Sequence, residues 1–139
     1  MSEQKTCKQR IRVHYRGRIK DLRRLWSLYQ SGNDEGDPDI GTFHEYGLSF
    51  DYVPAGTFGD QKEGYFRYQI SWGGPADEFR FYTDGQLRVY RIAYWFLDWW
   101  DGAHINLSGK DFDLMNEIFE FFREIGSVQA EMEKATEDI

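Results

Sequence analysis

The sequence predicts an α+β domain, an antiparallel sheet of about five strands with two helices packed on one face, in the order β-α-β-β-β-β-α. Three observations carry this. Several short runs alternate apolar with polar residues, among them RIRVHYRG (10–17), YFRYQISW (65–72) and EFRFY (78–82). Two longer stretches instead repeat apolar residues at helical spacing, around 19–29 and 111–125. Turn-formers separate the strand-like runs, with Asp84-Gly85 as a hairpin signal, and this favours antiparallel neighbours.

The elements follow in order. Arg10 to Gly17 reads as a half-buried strand, with Ile11, Val13 and Tyr15 on one face and Arg10, Arg12, His14 and Arg16 on the other. Ile19, Leu22, Leu25, Trp26 and Tyr29 then mark a helix, which SGNDEGDPDIG (31–41) ends as a loop. Alternation returns over Glu45 to Val53, with Tyr46, Leu48, Phe50 and Tyr52 on one side, and residues 54–64 read as a long connection. Tyr65 to Trp72 places Phe66, Tyr68, Ile70 and Trp72 inward, and the next strand adds Phe79 and Phe81. The strand from Leu87 to about Asp98 turns apolar on both faces, as a central strand does. Ser108 with Asp111 suggests a capping box before the last helix, whose stripe of Met115, Ile118, Phe122 and Ile125 ends at Gly126.

The 139 residues make one domain, taken as 10–126, with 1–9 as a flexible N-terminus and 127–139 as an acidic tail or helical extension. No apolar run approaches the roughly 20 residues of a membrane span, and the start lacks an apolar signal segment, so no membrane association and a cytoplasmic location are expected. The single cysteine, Cys7, fits a reducing compartment. Net charge is -7, but residues 1–30 hold nine Lys/Arg against Glu3 and Asp21, a balance of +7 that leaves -14 for the rest. Such a split implies either internal neutralisation or two faces with different partners.

Candidate sites are few. In YWFLDWWDG (94–102), Trp99 and Trp100 either close the end of the core, the favoured reading, or form a stacking platform beside Asp98 and Asp101. His104 near Asp101, and His44-Glu45 with Asp51, lack the spacing of a metal site, and no Ser or Cys carries a nucleophile pattern, so no cofactor, metal or catalytic residue is expected. The predicted polar sheet face collects Arg10, Arg12, Arg67, Arg80 and Tyr82, residue types that hold phosphates and stack bases, with cross-strand Arg–Glu pairing as the bland alternative. On the last helix Asp113, Glu117, Glu120 and Glu124 form one acidic stripe, able to imitate a phosphate backbone or simply to face solvent.

GYFRYQISWGGPADEFRFY (64–82) followed by YRIAYWFLDWWDG (90–102) resembles a group of uncharacterised small bacterial proteins encoded on conjugative plasmids and integrative elements. The likeness spans about residues 10–126 and carries no catalytic motif, so it transfers no site residue. It implies an accessory protein of a mobile element, with anti-restriction or anti-CRISPR action as one role. The leading expectation is therefore a non-enzymatic protein, monomer or homodimer, that binds a host or element protein through the stripe Asp113, Glu117, Glu120 and Glu124. The rival is a nucleic-acid-binding module that uses the Arg/Tyr sheet face.

Overall fold

The structure, a computed structural model, describes residues 5–137. It is an α+β fold in which a five-stranded antiparallel meander, β1-β2-β3-β4-β5, follows two helices and precedes two more. The helices are α1 (Cys7–Gln30), α2 (Phe43–Tyr46), α3 (Gly109–Glu124) and α4 (Ser127–Glu137). The strands are β1 (Ser49–Val53), β2 (Tyr65–Ser71), β3 (Ala76–Thr83), β4 (Val89–Asp98) and β5 (Asp101–Asn106).

The first element corrects the sequence reading: Arg10 to Gly17 is not a strand but the first half of the 24-residue helix α1. The alternation of Ile11, Val13 and Tyr15 is overridden by a longer helical pattern, since Cys7, Ile11, Ile19, Leu22 and Leu25 are buried on one side while Val13 is 73% exposed. A local signal agrees with the helix. Thr6 and Gln9 form a capping box, in which the Thr6 hydroxyl accepts from the Gln9 amide and Gln9 Oε1 accepts from the Thr6 amide. The helix thus begins inside the segment read as flexible; residues 1–4 of that segment lie outside the described residues.

The fifth strand comes from elsewhere. Trp99 and Trp100 are the two residues of a hairpin turn between β4 and β5, with Asp98 opposite Asp101. Residues 101–106, between the central strand and the last helix, are therefore an edge strand to which the sequence reading gave no element. Glu45 to Val53 divides into α2, capped by Thr42, and β1. Ser108 is the N-cap of α3 but makes no side-chain cap bond, and the Asp111 carboxylate, which a capping box would turn back to the Ser108 amide, is engaged instead with Tyr15 and Arg23 of α1. Gly126, at φ +87°, separates α3 from α4.

The core lies between the helices and one sheet face. Phe66, Tyr68, Ile70, Phe79, Phe81, Ile92, Tyr94 and Phe96 meet Leu22 and Leu25 of α1, Met115, Ile118 and Phe119 of α3, and Val128 of α4. Trp72, expected inward, is 77% exposed, because the register shift at Gln69/Ser71 ends β2 before it. One polar cluster fixes α1 in register on the sheet. Asp77, 2% exposed, accepts from Arg18 Nε at 2.7 Å, Arg18 Nη2 at 3.2 Å, the Tyr94 hydroxyl at 2.6 Å and Ser71. Arg18 in turn donates to the Tyr46 hydroxyl, which donates to Asp21 at 2.7 Å. Burial opposes the Arg18 cation, yet its bonds to Asp77 and Tyr46 hold it above its ordinary value; burial pushes Tyr46 up to about 12.

Candidate functional site

The helical assignment of residues 7–30 rearranges the basic side chains. Lys8, Arg12, Arg16 and Lys20 fall at four-residue intervals and form one exposed stripe about 18 Å long on the outer side of α1. Nine of the chain's eleven arginines form ion pairs with carboxylates. Among the described residues the two that form none are Arg12 and Arg16, and both lie on this stripe. Each like-charge neighbour at four residues costs a helix roughly 0.2–0.5 kcal/mol, and here three such steps follow one another with no carboxylate between them.

Two concavities lie along α1, one of them beside the stripe. Between α1 and the start of α3 runs a groove of about 610 Å³, lined by Tyr15, Arg16, Ile19, Lys20, Arg23 and Arg24 beside Asp111. At the N-terminal end of α1 a second hollow of about 430 Å³ is lined by Lys5, Cys7, Arg10, Trp99 and Trp100, with Asp98 and Asp101. Both aspartates there are tied to α1: Asp98 pairs with Arg10, and Asp101 Oδ2 accepts from the Cys7 amide at 2.7 Å. The Cys7 bond holds the Asp101 carboxyl below its ordinary value and sets a negative charge at a helix start that has no acidic residue of its own. Cys7 itself is buried, and that burial, with Asp101 close by, pushes its thiol up and away from the reactive thiolate.

The tryptophans do not close the core. Trp99 is 86% and Trp100 99% exposed, which overturns the expectation of buried packing. Trp72, in the turn between β2 and β3, stands at the same end of the sheet, where a Cβ on neighbouring Gly74 would sit 3.8 Å from Asp98.

The predicted Arg/Tyr sheet face is distributed differently. Arg10 and Arg12 are on α1 and not on the sheet. Arg67 makes two parallel bonds to Asp51 at 3.0 and 2.7 Å. Arg80 binds Glu78 at 2.8 Å and lies 4.6 Å from the Tyr65 ring centre and 4.1 Å from that of Trp95. Tyr82 is buried beneath Arg91, which pairs with Glu63. These cations are already neutralised, Arg67 by a carboxylate across the strand pair, Arg80 by one on its own strand and Arg91 by Glu63 just before β2. His104 stacks on Trp95 at 4.5 Å, and burial, then Arg91 and Arg80, lower its pKa.

No family model, curated protein or solved structure matches this chain. Its own surface is therefore the ground for a functional reading. Among the described residues no group of three or more His, Cys, Asp and Glu is placed to hold a metal ion, and no helix is long and apolar enough to cross a membrane.

The acidic stripe falls together on the solvent side of α3. Asp113, Glu117 and Glu124 are exposed, and Glu120 is half-exposed at 3.7 Å from Arg123. Glu117 also accepts from the Trp26 indole of α1 at 3.1 Å. The helical layer thus shows a cationic helix beside an anionic one. Lys8 and Lys20 were not singled out from sequence, and Arg16 was read only as part of the polar face of a strand; the spacing 8-12-16-20 together with the Thr6–Gln9 box was the signal that could have joined them.

Proposed function

We propose that this chain is a nucleic-acid-binding protein that holds a phosphate backbone along the outer side of α1. The observation that carries the reading is the stripe Lys8, Arg12, Arg16 and Lys20, which forms no ion pair among the described residues, on a chain of net charge -7 whose other arginines all have carboxylate partners. A row of cations held apart from available carboxylates fits a partner that brings its own negative charge, and phosphates at regular intervals supply it. The groove lined by Arg16, Lys20, Arg23 and Arg24 extends the same surface toward the C-terminal end of α1.

The test is fluorescence anisotropy of labelled oligonucleotides titrated with protein across a salt series. Engagement of all four cations gives a log–log salt slope near about -2.8 on single strands, at roughly -0.7 per phosphate contact. Arg12→Glu with Arg16→Glu should weaken binding to every sequence alike and flatten the slope by about 1.4. Arg67→Glu should leave the slope unchanged. No binding even at low salt would refute the reading.

A second reading is supported by the exposure of Asp113, Glu117 and Glu124 on one side of α3: this stripe imitates phosphate and occupies a basic groove of a host or element protein. The mobile-element setting and the anti-defence role are proposals that rest on the resemblance of residues 64–102. Lysine at positions 113, 117, 120 and 124 would abolish protein capture on this second reading, and on the first would leave oligonucleotide binding intact or strengthen it.

A further inference from the structure

We infer that the Trp99–Trp100 tip is a base-stacking platform, which makes single-stranded nucleic acid, and not duplex, the preferred occupant of the α1 surface. This rests on the nucleic-acid reading above and names its substrate. Trp99 holds φ +56°, a left-handed conformation that favours glycine and disfavours a bulky aromatic, and it sits in a two-residue turn where glycine or asparagine is usual. A strained backbone that presents two adjacent indoles to water, at 86% and 99% exposure, does nothing for the core. The turn is nevertheless fixed, since the residues on either side are both anchored to α1, Asp98 by Arg10 and Asp101 by the Cys7 amide.

That anchoring has an electrostatic consequence. The two carboxylates that would repel a phosphate at the tip are engaged by α1, while Lys5 lines the same hollow and Lys8 opens the stripe one turn further along. Indole faces beside a basic track are the residue pattern that binds single strands, because an unpaired base has a free π-face and a paired base does not. A flat anionic surface fits less well. The stripe extends about 18 Å from Lys8 to Lys20, beyond the roughly 8 Å screening length at physiological salt, so a plane touching the tip feels only its first charges, whereas a flexible strand can follow all four.

The experiment compares wild type with Trp99→Gly/Trp100→Ser on a labelled 15-mer of deoxythymidine and on a 15-base-pair duplex. Glycine suits the Trp99 backbone, so the variant should fold, and a thermal melt checks it. The expected result is at least about tenfold weaker binding to the single strand, an unchanged salt slope, unchanged duplex binding, and loss of the indole quenching that the oligonucleotide causes in wild type. Equal single-strand affinity in both proteins would overturn the inference while leaving α1 binding standing. Absence of binding by wild type to either oligonucleotide would overturn both. Tryptophan-dependent sedimentation with phosphatidylserine vesicles, without any effect on oligonucleotides, would reassign the tip to a lipid surface.

Discussion

Asp77 shows how one residue can hold two layers together. Its carboxylate is almost fully buried and accepts from an α1 arginine, a β4 tyrosine and a β2 serine. Removing one member of a buried charged pair strands the other, and that cost exceeds the worth of the pair itself. Asp77→Ala should therefore lower stability by roughly 3–5 kcal/mol, measured by urea denaturation, because the Arg18 guanidinium is left without its counter-ion. Tyr94→Phe removes one donor to the same carboxylate and keeps the charge pair, so its cost should be nearer about 1 kcal/mol. Equal costs would mean that the Arg18–Asp77 pair contributes little beyond its hydrogen bonds. The tryptophans make the complementary point, since their identity was legible in YWFLDWWDG and their exposure was not. A run that packs Tyr94 and Phe96 fully into the core gives no sequence sign that the chain turns back two residues after Leu97.

At the scale of elements, α1 carries both the structural correction and the proposed site. Its stability is tested at two positions outside the basic stripe. Gly17 sits mid-helix with open space where a Cβ would project, so Gly17→Ala should stabilise by roughly 0.5–1 kcal/mol. Thr6→Ala removes the cap and should cost about 1 kcal/mol. Thermal melts of the two variants, expected to shift in opposite directions, check that residues 7–30 are one continuous helix; were 10–17 a strand, alanine at position 17 would bring no such gain. The sequence made the sheet legible from β2 to β4, where Phe66, Tyr68, Phe79 and Phe81 alternate cleanly and short turns fix the pairing. It misled at both ends. In RIRVHYRG Arg10, Arg12, His14 and Arg16 sit at every second place, so a helix that buries only Ile11 and half-buries Tyr15 shows the same local pattern as an edge strand. At β5, Asp101 to Asn106 carries few large apolar residues because α1 covers only one side of it. The acidic stripe of α3 was legible because the helix register there is set by the buried side chains Leu114, Met115, Ile118 and Phe119 in close succession. The basic stripe was hidden for as long as its helix was read as a strand.

At the scale of the whole molecule the decisive property is segregation of charge, with +7 in residues 1–30 set against -14 in the remainder. Folding neutralises much of this internally: Arg10, Arg18, Arg23 and Arg24 of α1 all reach carboxylates on the loops, on β3, at the β4–β5 turn or on α3. What stays unneutralised on α1 lies beside α3, whose stripe of Asp113, Glu117, Glu120 and Glu124 presents the opposite sign. A nucleic acid that approaches α1 is thus attracted by one helix and repelled by its neighbour. The repulsion acts through solvent between exposed groups and is screened over roughly 8 Å at physiological salt and about 30 Å at 0.01 M. Neutralising α3 with Asp113→Asn, Glu117→Gln, Glu120→Gln and Glu124→Gln should therefore strengthen oligonucleotide binding at low salt, with the gain shrinking as salt rises. Anisotropy titrations of this variant and wild type at two ionic strengths measure it. A salt-independent gain would point to a contact made by the new amides themselves, and a loss of affinity would mean that α3 helps to hold the partner, which would favour the protein-binding reading of this stripe over the nucleic-acid reading of α1.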